Sequence, residues 1–296
     1  MNQFVELLLS GISLGFVYAL VALGFVMIFK ASHAVNFAHG SIVLLGAYVI
    51  ARTHKDLGFV PAALVGIAAA ALFGGIVYFV ILRRLRGVSV DTLSIITIGV
   101  DIILVTELIR EIGSDALSIG DPWGSDVVHL FDFAIPTARV AAAVVAILVL
   151  TGFWALHKFT DYGIAMRSAA EDHRAAALMG IRLNRVSASA WASAGALAAV
   201  GGIFLTTFPT PGVDQGVTIA ALAAFPAAIL GGLDSIQGAV VGGLIIGVVV
   251  SLTAGYQSDV AFLGRGLSEV TPYFVMVLVL LWRPSGLFGT RELTRV

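Results

Sequence analysis

The strongest constraint on this chain is the recurrence, along its whole length, of apolar runs about twenty residues long. A helix rises about 1.5 Å per residue, so a run of about twenty crosses the roughly 30 Å hydrocarbon core of a bilayer. A water-exposed fold has no means of hiding so many of them, and the chain reads as an integral membrane protein. Composition agrees, with 59% hydrophobic and 12% charged residues, against roughly 25% charged in ordinary soluble domains. The formal net charge of -1 decides nothing, because in a membrane protein the placement of charge matters more than its sum. Cysteine is absent, which excludes disulfides and thiolate chemistry and leaves the redox compartment open. The opening MNQFVELLLSG lacks the basic stretch of a signal peptide, and the run behind it is longer than such a peptide carries, so it reads as a retained first span.

That first span covers about Phe4 to Phe29, with Gly11 and Gly15 in a small-xxx-small spacing that permits close helix packing. After Lys30, the segment KASHAVNFAHGS interrupts the apolar pattern with His33, Asn36, His39 and Ser41. Ile42 to Ala51 is too short to cross alone, so the second helix is expected to begin near Asn36 and carry polar residues into the membrane. A polar loop from about Arg52 to Gly58 precedes a third span, Phe59 to Leu82, which stops at Arg83, Arg84 and Arg86. The fourth, Val90 to Ile112, carries Asp101 near its middle. The following stretch, Gly113 to Pro136, holds Asp115, Asp121, Asp126 and Asp132 and no Lys or Arg. A fifth span, Thr137 to Leu156, leads to the longest polar interruption, Lys158 to Arg185. Beyond it come a sixth span (Val186 to Phe208), a PTPG turn, a shorter apolar run (Val217 to Leu230), GGLDSIQG, a further span (Ala239 to Gly255), and a last one (Thr271 to Trp282) closed by RPSGLFG and a tail with Arg291 and Arg295.

The expected fold is therefore an all-α polytopic membrane protein with about eight or nine transmembrane helices, some broken or re-entrant, forming a single domain over residues 1–296. Lys and Arg in short loops mark the cytoplasmic side. This puts the Arg83 to Arg86 cluster, the 158–185 loop and the C-terminus inside, and the acidic loop and the N-terminus outside. Arg52, Lys55 and Arg265 are exceptions to that bias. Nine crossings result if 217–230 traverses the membrane, eight if it turns back.

Polar side chains at membrane depth face a cavity or another helix, because lipid offers them no partner. Asn36, His39 and Ser41 thus read either as a broken-helix element lining a translocation pathway or as an N-cap with interhelical hydrogen bonds. Asp101 shares a helix face with Ser94 and Thr97; it reads as an ion site or as a hydrogen-bond acceptor within the bundle. Glu107, Arg110 and Glu111 have the spacing of local ion pairs. Gly231, Gly232, Gly238, Gly242, Gly243 and Gly247, with Asp234, Ser235 and Gln237 in the turn, suit a tightly packed helical hairpin.

The 158–185 interruption contains Lys158, Arg167, Arg174, Arg182 and Arg185 against Asp161, Glu171 and Asp172. Tyr162 to Leu178 suits a helix, and Gly180 a stop. Its charges alternate in sign, unlike a polybasic lipid anchor. A solvated interspan loop is the default for such a segment; a handle gripped by a cytoplasmic motor is the functional reading. The lysines, Lys30, Lys55 and Lys158, follow Phe29, His54 and His157, so no Walker A motif is present and any ATP-driven work belongs to a partner. The six histidines form no HxxxH ligand pair and no GxSxG elbow occurs, so neither an enzyme nor a cofactor is expected. Nothing resembles a nucleic-acid surface.

Several stretches resemble one family: YALVALGF (18–25) before NFAHG (36–40), GIAMRSAAED (163–172) followed by ALMGI, FPAAILGGLDSIQGAVVGG (225–243) and LLWRPSGLFG (280–289). In that order, across almost the whole chain, they are similar to permease subunits of branched-chain amino acid ABC importers, of the LivH type. The resemblance implies an ABC importer permease fold and a dimeric membrane core, usually with a second, related permease. It further implies two ABC ATPase subunits, an extracytoplasmic solute-binding protein, and a coupling helix at about Gly163 to Gly180, with Arg167, Glu171, Asp172, Arg174 and Gly180 facing the ATPase. Branched-chain amino acids are the leading cargo it implies, with urea, short amides or other small carboxylates as alternatives. Asp101 departs from the smaller polar residue expected there, and His173 and Arg174 depart from the usual continuation. The rival from another class is a self-contained ion-coupled transporter or channel with Asp101 as its carboxylate; a third reading is a membrane scaffold.

Overall fold

The structure is a computed structural model that describes residues 2–85, 88–124, 126–130, 133–209, 211–259 and 266–289. Arg86, Asp132, Arg265, Arg291 and Arg295, named above, lie outside the described residues, as does the side chain of His173. In chain order the helices are α1 (Asn2–Ser32), α2 (His39–Leu57), α3 (Phe59–Val80), α4 (Val90–Ile112), α5 (Thr137–Phe159), α6 (Asp161–Glu171), α7 (His173–Leu178), α8 (Leu183–Leu205), α9 (Gly216–Leu222), α10 (Ala224–Gly231), α11 (Ile236–Gly255) and α12 (Leu267–Trp282). Six of the described helices are long and apolar enough to cross a membrane. The segment Gly216–Gly231 and α12 are apolar but shorter, while α2 has the length and carries Arg52, Lys55 and Asp56 in its last turns.

Arg52 to Leu57 is not a loop: α2 continues to Leu57 and the chain breaks only at Gly58, whose φ of 81° favours glycine. The 113–136 stretch also adds an antiparallel hairpin, β1 (Val127–Leu130) with β2 (Phe133–Pro136), to an otherwise helical chain.

The chain forms two compact units. Unit 1 comprises residues 1–26, 123–146 and 223–296. Its packing rests on glycine. A Cβ on Gly11 would come within 2.7 Å of Val248 Cα, and one on Gly15 within 2.7 Å of Leu244 Cα. As the number rises along α1 it falls along α11, so the two helices run antiparallel with backbones in contact, as the Gly11/Gly15 spacing implies. Ser251 Oγ donates to the Leu7 carbonyl at 2.7 Å at the end of this contact. The expected α10–α11 hairpin is also present, closed by Ser235, whose hydroxyl accepts from Gly238 N at 3.0 Å.

Unit 2 comprises residues 27–122 and 147–222. Its core is α2, α3 and α8, met at small residues: a Cβ on Gly46 would stand 2.6 Å from Ala199 Cβ, and one on Gly195 would overlap the Ala70 carbonyl. Trp191 is fully buried there. Tyr78 Oη donates to Asn184 Oδ1 at 3.2 Å, joining the end of α3 to the start of α8. At the opposite end, Leu117 and Val213 exchange backbone hydrogen bonds (3.2 and 2.7 Å). The outward faces of α3 and α4 are aliphatic, with Val60, Leu64, Leu72, Ile95, Ile102 and Ile103 exposed. An exterior of this kind is matched to lipid or to another membrane subunit.

Candidate functional site

Both groups of residues singled out in the sequence fall within unit 2. The first is the entry to α2. α1 ends at Ser32, and His33, with φ of 54°, turns the chain out of the helix. Residues 34–36 then run without regular structure before α2 starts at His39, three residues later than the sequence reading put it. Asn36 therefore precedes the helix instead of opening it. The reason is local: Asn36 Oδ1 accepts from Ala38 N at 3.1 Å, a turn that competes with helix.

Irregular backbone needs partners, and α4 supplies them. Ser94 Oγ accepts from Val35 N at 3.3 Å, Thr97 Oγ1 accepts from Phe37 N at 3.0 Å, and the Thr97 hydroxyl reaches the Val35 carbonyl at 3.3 Å. At the other end of the pair, Arg52 Nη2 donates to the Glu111 carbonyl at 2.5 Å. The partners are 59, 60 and 59 residues apart, so α2 and α4 run parallel in a constant register. Ser94 and Thr97, noticed in the sequence only as neighbours of Asp101, are thus the hydroxyls that hold the broken segment.

Asn36, His39 and Ser41 are buried. Ser41 Oγ donates to the Ala38 carbonyl at 2.9 Å. Asp101, one turn beyond Thr97, is half-buried, and no hydrogen bond to it occurs among the described residues. The reading of Asp101 as an acceptor within the bundle therefore finds no donor here. Glu107, Arg110 and Glu111 do form the expected local pairs, Arg110 Nη2 lying 2.5 Å from Glu107 Oε1 and 3.3 Å from Glu111 Oε1. Exposed pairs of this kind contribute little to stability.

The second group lies on the arm between α5 and α8. The single helix expected over 162–178 is two helices, α6 and α7, meeting at Asp172 in an extended conformation. Asp172 Oδ1 accepts from Arg174 N at 2.8 Å and Ala175 N at 3.0 Å, so it caps α7. A carboxylate that satisfies a new helix start ends the old one, which is why the kink falls at this residue. Gly180, with φ of 85°, closes α7 as expected.

The arm is seated on the end of α5. Thr160 Oγ1 accepts from Gly163 N at 3.3 Å, and Gly163 lies so close to the His157 backbone that any Cβ would overlap it. The buried His157 ring stacks on Phe153 (centroids 4.8 Å apart) and lies 3.1 Å, by Nε2, from Met166 Sδ. Arg167 Nη1 donates to the His157 carbonyl, so Arg167 braces the arm. Lys158 stands over the Trp154 ring at 4.6 Å, the pairing expected of a span end at a membrane surface.

Glu171, Arg174 and Gly180 are exposed at the far end of the arm. Two large apolar groups there are almost fully exposed: Leu178 at 88% and Met179 at 83%. The charge pattern of the loop does not mark them; their signal in the sequence is an LMG triplet within an Ala- and Arg-rich loop. Two more of the quoted stretches meet in unit 1. Leu287 N and Phe288 N donate to the Leu230 and Gly231 carbonyls (2.8 and 2.9 Å), so 283–289 lies against the α10–α11 turn. Gly232, at φ of 106°, leaves no room for a side chain beneath Gly289.

The family described as "Branched-chain amino acid transport system / permease component" matches residues 7–281. The high-affinity branched-chain amino acid transport system permease protein LivH of Escherichia coli is 31% identical over 99% of this chain and 98% of its own length. BraD of Pseudomonas aeruginosa, of the same description, is 31% identical over the same shares. A probable LivH of Methanocaldococcus jannaschii is 31% identical over 91% of this chain and 88% of its own. Among solved structures, PsaBC from Streptococcus pneumoniae in complex with Fab shares the fold, with a TM-score of 0.52 at 16% identity over 95% of this chain and 91% of that one.

Proposed function

Because this chain belongs to the branched-chain amino acid transport permease family, we propose that it forms half of the translocation pathway of an ABC importer for branched-chain amino acids. It would work as one membrane domain, beside a second related permease and two ATPase subunits, and receive cargo from an extracytoplasmic binding protein. The observation that carries the coupling part is the α6–α7 arm: an element braced at its base on His157 and Gly163 and presenting Leu178 and Met179 almost fully exposed. A soluble loop gains nothing by exposing two large apolar side chains at its tip, whereas an anchor for a partner's pocket needs them. Arg167, Glu171, Asp172, Arg174 and Gly180 then divide into two roles. Arg167, Asp172 and Gly180 set the arm's shape, while Glu171 and Arg174 flank the apolar tip.

The arm lies on the cytoplasmic side by its Lys and Arg content. With the N-terminus outside, α1 runs inward, and α11, antiparallel to it, runs outward. The turn before α11 is then inside, so 216–231 crosses the membrane and the crossings number about nine. Closure of the α12 end onto that same turn supports a cytoplasmic C-terminus. Asn36, His39, Ser41 and Asp101 belong to the pathway in this reading, since a broken helix is tolerated at membrane depth where it lines a cavity.

The test is assembly. Leu178→Asp with Met179→Asp is expected to abolish co-purification of the ATPase subunits while membrane insertion persists; retention of the ATPase at wild-type levels would contradict the coupling assignment. An ion-coupled carrier draws on one observation, the half-buried Asp101 with no described donor. Asp101→Asn separates the two: it keeps the shape of a pathway-lining side chain and removes only the titratable carboxylate, so ATP-driven uptake persists in an importer and transport is eliminated in an ion-coupled carrier.

A further inference from the structure

The first turn of a helix leaves backbone N–H groups without intrahelical acceptors, and a side-chain oxygen at the N-cap normally takes one of them. The N-cap of α2 is Ala38, which has no such oxygen. His39 N reaches the Asn36 carbonyl at 3.3 Å and Ile42 N the Ala38 carbonyl at 3.1 Å. For Gly40 N and Ser41 N, both in buried residues, no acceptor occurs among the described residues. The Asn36 carboxamide lies across the same entrance, its Oδ1 held by Ala38 N. Its Nδ2 is buried without an acceptor, in a side chain only 1% exposed.

Among the described residues, three donors thus stand at one helix start with no acceptor. Each buried unsatisfied donor costs about 1–3 kcal/mol, and such groups call for a partner outside the chain. An oxygen acceptor, above all an anionic one, is the group that suits two amides at a helix N-terminus and a carboxamide N–H. Broken membrane helices present their N-terminal ends to anionic groups of a cargo for the same reason. α9 packs over this turn, a Cβ on Gly40 meeting the Thr218 carbonyl at 3.3 Å.

We propose that the entrance to α2, formed by Asn36 Nδ2, Gly40 N and Ser41 N, is a carboxylate-binding step on the pathway. The inference rests on the importer reading and sharpens it: cargo must carry a carboxylate, as amino acids do, which separates them from urea and short amides.

The experiment uses the complete complex with its ATPase subunits, second permease and binding protein in vesicles, measuring ATP-dependent uptake of leucine, leucinamide and urea. Wild type is expected to take up leucine and discriminate against the other two. Asn36→Asp keeps the acceptor that holds Ala38 N and replaces the donor by a negative charge. It should raise the KM for leucine on the order of ten- to a hundredfold, with Asn36→Ala producing a smaller rise. An assembled Asn36→Asp complex with an unchanged KM would mean that the three donors hold water only, and would overturn the proposal. Wild-type uptake of urea or leucinamide in preference to leucine would overturn it while leaving the importer reading intact. Wild-type complex that takes up none of the three would overturn both.

Discussion

Asp172 shows how one carboxylate sets the form of the α6–α7 arm. By capping α7 through two backbone N–H groups it fixes the angle at which Leu178 and Met179 are presented. Asp172→Ala should destabilise α7 by about 1 kcal/mol, seen as faster amide exchange over 173–179, and should weaken ATP-driven uptake; Asp172→Asn, which still accepts, should preserve both. Equal exchange in Asp172→Ala and wild type would remove the cap from the account. Asp101 belongs to the same scale. An ionised side chain at the middle of a span costs roughly 2.5–3.5 kcal/mol on insertion scales, and α4 runs eleven residues to either side of it (90–100 and 102–112). Its position on the face that carries Ser94 and Thr97 turns it away from the exposed Ile103.

At the scale of elements, glycine decides how closely helices approach. Gly195 lies against the Ala70 carbonyl and Gly46 against Ala199, so α8 meets α3 and α2 at backbone contact. Gly195→Val should cost on the order of 1–3 kcal/mol by forcing α3 and α8 apart, read as a fall of several degrees in the melting temperature of the purified complex. Gly99→Val, on α4 with open space around it, should leave that temperature unchanged. Much of this was legible in the chain. The bounds of α4 fall where the apolar pattern puts them, and the spacing of Gly11 and Gly15 foretells close helix packing, though not that α11 is the partner. The start of α2 was not legible, because Asn36 is as good a helix opener in sequence as it is a turn former; the choice is made by Ser94 and Thr97, sixty residues away. The kink at Asp172 is not legible, because alanine-rich sequence on both sides favours helix throughout, and only the capping geometry reveals that one helix ends and another begins. The exposure of Leu178 and Met179 is a tertiary fact whose one local trace is the LMG triplet itself.

For the whole molecule, the absence of cysteine makes orientation directly testable, since single-cysteine variants carry no background. Arg174→Cys should react with an impermeant maleimide only from the cytoplasmic side, Asp121→Cys only from outside, and Ser235→Cys, in the turn before α11, from inside. Labelling of Ser235→Cys from outside would mean that 216–231 turns back. Beyond orientation stands the claim on which the account turns: a chain without a Walker A motif moves cargo because an ATPase grips the α6–α7 arm. The most direct measurement is accumulation of radiolabelled leucine in vesicles holding either this chain alone or the complete complex. Uptake against a gradient only in the complete complex, only with ATP, and lost with Leu178→Asp and Met179→Asp, is the predicted result. Accumulation by the chain alone, or undiminished uptake with the altered arm, would contradict it.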